Sequence, residues 1–186
     1  RLVMYNDFVL VGPPADLAGA RQEARAALAL ARIAAAGARF VSRGDESGTH
    51  QRERALWQLA GVTPSGGWYL EAGAGMGQTL SLASERAAYT LTDRATFTAL
   101  RPQLALEVVL EEDPELLNLY HVMQVNPERF AKVTSRAAAA LVTYLLDPAT
   151  QERIGAFRRE ADGRSPFVPA GGRTADQVRL AATAGR

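Results

Sequence analysis

Cysteine is absent from the 186 residues. That excludes a disulfide framework, a thiolate nucleophile and a cysteine-based zinc site, and it fits any redox compartment. Histidine is scarce: His50 and His121 stand far apart, so a His-rich metal centre is not expected. No apolar run approaches the ~18 residues of a membrane-crossing helix. Neither sign of charge dominates, with 21 Lys+Arg against 20 Asp+Glu and a net charge of +1. Such near-neutrality argues against a dedicated binder of nucleic acid or of acidic membranes. Lysine is nearly missing too, Lys132 being the single one. No leader sequence is visible, and the chain opens on Arg1, as expected of a processed product or a fragment, so nothing follows about location. What remains is an ordinary globular balance, 47% hydrophobic and 22% charged, which excludes disorder and collagen-like architecture.

Residues 2–12 are rich in Val, Leu, Phe and Tyr and end at Gly12-Pro13-Pro14, which predicts a largely buried strand with a firm stop. Over 16–36, apolar residues at helical spacing follow Asp16, a candidate N-cap, up to Gly37. A short strand at 39–41, a loop at 42–48 and a helix over 49–60 come next. Residues 61–75 read as a glycine-rich loop. A second cycle follows: a helix over 76–86, a strand over 87–91, a short helix from Asp93 to Leu100 and strands at 105–110 and 117–125. Asn126-Pro127 predicts a long helix to Leu146, and Asp147-Pro148 another to Phe157, because proline suits the first helical position. The tail, 161–186, reads as partly irregular. Alternation of strands and helices makes the class α/β, and the pattern suits two lobes joined by crossing strands.

The chemistry concentrates in Ser42-Arg43-Gly44-Asp45-Glu46-Ser47-Gly48-Thr49-His50, which leaves a strand and opens a helix. The N–H groups of a first helical turn have no partner inside the helix, and the macrodipole adds about half a positive charge there. Gly48 lets backbone approach a ligand, Ser47 and Thr49 add hydroxyls, and Arg43 adds a planar fork of donors suited to an oxyanion. Asp45 is placed to orient that guanidinium. The bland alternative is an ordinary N-cap at Ser47 with a surface Arg43–Asp45 pair.

A second stretch, Gly73-Ala74-Gly75-Met76-Gly77-Gln78-Thr79-Leu80, fails as a P-loop because Ala72 and Gln78 stand where glycine and lysine are needed. Gln78 also breaks the dinucleotide fingerprint. Its glycines still open a helix and expose amides, against the alternative of a plain flexible loop. In Tyr89-Thr90-Leu91-Thr92-Asp93-Arg94 a strand ends in a hydroxyl-rich turn; Asp93 reads as a cap and Thr90 or Thr92 as a ligand hydroxyl. His121, in a strand, reads as a satisfied, partly buried histidine. Trp57, Trp68 and Phe40 read as core.

These motifs together, with Trp68-Tyr69, the opening Met4-Tyr5-Asn6-Asp7-Phe8-Val9 and Val125-Asn126-Pro127, resemble the tungstate-binding component of bacterial ABC transporters over about residues 3–170. The Arg-x-Asp-x-Ser-Gly-Thr core is also similar to the loop of phosphate-binding transport proteins. The resemblance implies a type II periplasmic binding-protein fold, with an anion held in a cleft between two α/β lobes. Lobe I, incomplete, would comprise 1–12 and 107–186, and lobe II 13–106. By position Arg43, Ser47, Gly48 and Thr49 would line the site, Met76 and Gly77 would offer backbone N–H groups, and Thr90 would add a hydroxyl. The family carries a further N-terminal segment with a Thr-Thr-Thr-Ser motif, which nothing here matches; a partner role for that missing segment is implied. So are a tungstate or molybdate ligand without a cofactor, an ABC permease as partner, and a periplasmic or extracellular location, free or lipid-anchored. Phosphate or sulfate binding, or a ligand-sensing domain of a regulator, are the alternatives. A hydrolase using Ser47, His50 and a carboxylate is a further one, weakened by the missing G-x-S-x-G elbow.

Overall fold

A computed structural model describes residues 1–157 and 165–184. Contacts divide the chain into two compact units, Asp7–Leu116 on one hand and Arg1–Asn6 with Leu117–Arg186 on the other. The junctions thus lie at 6/7 and 116/117, where the sequence reading had 12/13 and 106/107. The elements in chain order are β1 (Leu2–Gly12), α1 (Ala26–Ala35), β2 (Phe40–Ser42), α2 (Gly48–Leu59), β3 (Tyr69–Glu71), α3 (Met76–Glu85), β4 (Thr90–Asp93), α4 (Arg94–Leu100) and β5 (Glu107–Leu110). They continue with β6 (Leu117–His121), α5 (Ser135–Leu146), α6 (Pro148–Ala156), β7 (Val168–Pro169) and α7 (Ala175–Ala184).

The Asp7–Leu116 unit is a sheet covered on both faces. β1 lies antiparallel between β4 and β5. β2 pairs in parallel with β3, and a parallel bridge from Phe40 to Tyr89 ties β2 to the start of β4. The Tyr89 N–H donates to the Arg39 carbonyl and the Val41 N–H to the Tyr89 carbonyl, each at 2.8 Å. The order is therefore β3-β2-β4-β1-β5. Successive strand residues point to opposite faces, so the unbroken Phe8-Val9-Leu10-Val11 run feeds two cores. Phe8 and Leu10 join Leu30, Ile33, Phe40, Leu56 and Trp57, under α1 and α2. Val9 and Val11 join Val41, Met76, Leu80 and Phe97, under α3 and α4. Gly12 ends β1 where a Cβ would sit 2.4 Å from the Tyr89 ring.

In the other unit, Met4 and Tyr5 of β1 pair antiparallel with β7, and β6 also pairs with β1. A small core of Leu2, Leu117, Ala170 and Val178 holds these strands to α7. Met123, Phe130, Leu141 and Tyr144 are exposed. Among the described residues no helix is long and apolar enough to cross a membrane.

Four expectations need correction. The helix over 16–36 is broken: Asp16 sits at φ +40° and takes the Ala20 and Arg21 amides at 3.1 and 2.9 Å. A 3-10 turn at Ala20–Gln22 follows, and α1 starts only at Ala26, whose N–H is capped by the buried Asp113 carboxylate at 2.6 Å. The Asn126-Pro127 start signal makes a turn instead, with the Asn126 side chain accepting the Glu128 N–H at 2.8 Å, and α5 begins at Ser135. The 61–75 stretch contains β3. His121 closes β6 but is exposed. Of the tail read as partly irregular, 161–164 and 185–186 lie outside the described residues, and the rest holds β7 and α7.

Candidate functional site

The carboxyl ends of β2, β3 and β4 lead respectively into α2, α3 and α4. Ligands of open α/β sheets bind outside the carboxyl ends of strands, and helix N-termini there present unpaired amides. Two of the three starts are capped by their own chain. The Ser47 hydroxyl accepts the His50 N–H at 3.3 Å, and the Asp93 carboxylate accepts the Thr96 N–H at 2.8 Å. Gly75, ahead of Met76 and Gly77 of α3, gives no side-chain cap.

Arg43 leaves β2 with its side chain mostly buried, at 17% exposure. Its Nη2 pairs with the Asp45 carboxylate, while its Nε is buried without a hydrogen-bond partner. Asp45 is held from a second side, accepting the Ser47 N–H at 3.2 Å. Hydrogen bonds from Ser47 and then from Arg43, outweighing the desolvation that opposes them, keep its carboxyl below the usual aspartate range. The expected orienting role of Asp45 thus has a geometry. Between Arg43 and Asp45 the chain turns at Gly44, φ +61°, where a Cβ would lie 2.8 Å from the Glu71 Cβ. Any other residue would be strained there and would collide.

Gly48 is exposed, and a Cβ placed on it meets nothing within 4 Å. Internal packing therefore does not require glycine at that position. Thr49 is buried at the start of α2. Met76 is largely core, so only its main chain is a candidate donor. Gly77 has Leu100 as its neighbour, 3.5 Å from a built Cβ. Thr90 is 1% exposed on β4, opposite Val11, and its Oγ1 has no hydrogen-bond partner. Arg43, Asp45, Ser47, Gly48 and Thr49 form one loop and helix start; Met76 and Gly77 open α3; Thr90 opens β4. The Ala72 and Ala74 amides donate to the Ser42 and Arg43 carbonyls at 2.8 and 3.3 Å, which ties the Arg43 loop to the approach to α3.

The hydrolase geometry does not form. His50 Nδ1 accepts the Glu46 N–H at 3.1 Å, and Ser47 Oγ caps the His50 amide, so the pair is spent on the helix start. Among the described residues no three His, Asp or Glu side chains gather as a metal site. Sequence reading passed over Glu53, which opens the run Glu-Arg-Ala-Leu-Trp of α2. It is 2% exposed and accepts from Trp57 Nε1 at 3.1 Å and from the Tyr69 hydroxyl at 2.8 Å. Desolvation raises its pKa against the opposing bonds from Tyr69, Ser42 and Trp57. The available signal was position: it lies four residues before Trp57 on the apolar side of α2.

Residues 1–149 match the PBP superfamily domain. The chain is 41% identical over 169 residues to the tungstate-binding protein TupA of Peptoclostridium acidaminophilum, covering 90% of this chain and 59% of that protein. The solved tungstate-binding protein TupA of Desulfovibrio alaskensis G20 is 39% identical with a TM-score of 0.78, over 91% of this chain and 69% of that one. The solved tungstate ABC transporter structure from Geobacter sulfurreducens is 46% identical with a TM-score of 0.72, over 84% of this chain and 67% of that one. The chain spans between 50% and 60% of the length of the curated relatives it matches. With its α/β fold and these likenesses, the chain belongs to the periplasmic binding-protein (PBP) superfamily, in the family of the tungstate-binding protein TupA.

Proposed function

We propose that this chain is the greater part of an extracytoplasmic solute-binding protein that captures a small tetrahedral oxyanion, tungstate or molybdate, and passes it to an ABC permease without catalysing a reaction. The observation that carries the reading is the Arg43 guanidinium, permanently charged, mostly buried, braced by Asp45 and left with an unpartnered Nε beside a helix start. A buried charged donor without its full set of bonds is costly, and a dianion repays that cost with acceptor oxygens and opposite charge. Gly48, Thr49, the Met76 and Gly77 amides and the Thr90 hydroxyl supply further donors.

Selection follows from proton count. A fully ionised dianion only accepts hydrogen bonds, whereas hydrogen phosphate also needs an acceptor. Asp45, the carboxylate of the loop, is engaged by Arg43 and by the Ser47 amide, which favours tungstate, molybdate and sulfate over phosphate. The anion is cargo, and no resident cofactor is part of this reading. The N-terminal segment carried by the family, and a lipid anchor on the full-length protein, belong to the same proposal. Titration of the full-length protein with tungstate, molybdate, sulfate and phosphate, by calorimetry and by thermal shift, tests it. A ligand present at about 100 times its Kd stabilises by about 2.7 kcal/mol, so tungstate and molybdate are expected to raise the melting temperature well above the phosphate response. Silence toward all four anions refutes the reading.

A further inference from the structure

Two residues of the anion loop, Gly44 and Glu46, turn left-handed, at φ +61° and +57°. Glycine does so freely, whereas a glutamate in that conformation has to be held by its surroundings. The start of α2 holds it at both backbone ends. The Glu46 N–H donates to His50 Nδ1 at 3.1 Å, and the Glu46 carbonyl accepts from Gln51 Nε2, also at 3.1 Å. A backbone N–H can only donate, so Nδ1 offers its lone pair and the proton of the neutral imidazole sits on Nε2. The ring is fixed in place: His50 is 5% exposed, and its own N–H donates to Ser47 Oγ at 3.3 Å. In the common capping box the third helical residue is a glutamate or glutamine whose side chain takes the N–H of the N-cap residue itself. Here the N-cap is Ser47 and the third helical residue is His50, yet the imidazole reaches one residue further back. The Ser47 N–H is thereby left to Asp45 Oδ1, 3.2 Å away, and the other oxygen of that carboxylate braces Arg43.

We infer that His50 is a positioning residue for the anion loop: by taking the Glu46 N–H, its Nδ1 holds the left-handed turn at 46 and reserves the Ser47 N–H for Asp45, which keeps the Arg43 guanidinium in one direction. His50 itself supplies no bond to the anion. Glutamine at 50 would serve the helix equally well, since it completes an ordinary capping box. It would do so by competing with Asp45 for the Ser47 amide and by leaving the Glu46 amide open. Histidine thus suits the loop where glutamine suits only the helix. The locking of the loop stands on these hydrogen bonds alone; its value for anion capture rests on the proposed function.

NMR of the isotope-labelled, unliganded protein reads the bond directly, as a scalar coupling between the Glu46 amide nitrogen and His50 Nδ1 across the hydrogen bond. Absence of that coupling in wild type overturns the inference before any variant is made. Amide hydrogen exchange then compares His50→Leu, which keeps similar bulk without an acceptor, His50→Asn, whose side-chain oxygen can stand where Nδ1 stands, and His50→Gln, with the Val41 and Leu80 amides as core controls. The Glu46 amide is expected to exchange about fivefold faster or more in His50→Leu and His50→Gln, and within about twofold of wild type in His50→Asn. A histidine that merely fills space predicts the opposite order, with leucine better tolerated than asparagine, and that order overturns the inference. Equal acceleration of the core controls overturns it too. Affinity of the full-length protein for tungstate is expected to fall about fivefold in His50→Gln at an unchanged melting temperature, and to stay near wild type in His50→Asn. Should His50→Leu fold poorly, the wild-type coupling and the glutamine–asparagine contrast still decide the matter. Unaltered affinity alongside a loosened Glu46 amide overturns the link to capture. A wild type that binds no oxyanion defeats the proposed function and leaves the amide result to stand or fall separately.

Discussion

Thr90→Val separates a hydroxyl kept for a ligand from one kept for the fold. Thr90 is 1% exposed, and it pairs across the ladder with Val11, on the face that also carries Val9 and Val41. Its Oγ1 lacks a hydrogen-bond partner. A buried, unsatisfied hydroxyl costs about 1–3 kcal/mol relative to a satisfied one, and valine fills nearly the same space with a methyl group that belongs in this apolar setting. The unliganded variant is therefore expected to gain about 1–2 kcal/mol. In a chain of this size that raises the melting temperature by about 3–6 °C, readable by differential scanning calorimetry. The gain comes with a cost elsewhere: the tungstate-induced shift is expected to shrink, because the ligand loses a donor. A variant that melts below wild type would show that the hydroxyl serves the fold, and the assignment of Thr90 to the site would fail.

Asp113→Ala removes a carboxylate that takes the Ala26 N–H at 2.6 Å and the Glu115 N–H at 3.0 Å, and it is expected to destabilise by about 2–3 kcal/mol, measured by urea unfolding. Gly12→Ala drives a Cβ into the Tyr89 ring and is expected to cost about 1–3 kcal/mol by overpacking. Gly48→Ala meets open space and should leave unliganded stability within about 0.5 kcal/mol, while a weaker tungstate affinity would mark close approach of the ligand there. Gly75→Ser supplies α3 with its missing cap and is expected to stabilise the unliganded chain by a few tenths of a kcal/mol, with anion binding weakened because the hydroxyl competes for the same amides. Asp45 has a depressed pKa, so its contribution to stability is full above the ordinary aspartate range and is lost as pH falls through the folded-state value. Asp45→Asn is expected to flatten that acidic limb of the stability curve; superimposable curves would refute the coupling.

What the sequence made legible was local. Asp93 and Asp147 read as caps because each side chain reaches an amide two or three residues ahead, whereas Ser47, read first as an anion ligand with an N-cap as the alternative, spends its hydroxyl on the His50 amide. The Phe8-Val9-Leu10-Val11 run read as a buried strand because both of its faces are apolar. What was hidden is non-local or competes with a local signal. Asp16 has the chemistry of a cap but spends it on a tight turn, and the true cap of α1 comes from Asp113, 87 residues away. Asn126 closes a turn on Glu128 before any helix can form. β3 has three residues and no alternation long enough to read. At the candidate site, Arg43, Asp45 and Ser47 were legible through spacing. Glu53 was not, because a glutamate flanked by Arg52 and Arg54 looks like part of a solvated helix face until Trp57 and Tyr69 are seen to cover it.

The same distinction shows why the proposed capture falls at this edge of the sheet. Parallel strands deliver helix starts to one edge, and each start exposes amides that something must satisfy. α2 and α4 satisfy part of theirs with Ser47 and Asp93, residues that cap by geometry. α3 opens on Gly75, which cannot. Beside it in sequence and hydrogen bonding runs the Arg43 loop, whose guanidinium is half spent on Asp45 and half free. A fold selected for stability alone would close these valences with a serine at 75 and a valine at 90. Three buried side-chain polar atoms among the described residues lack a partner: Arg43 Nε and Thr90 Oγ1, the donors that the proposed capture would use, and Asn6 Oδ1, an acceptor in the other unit.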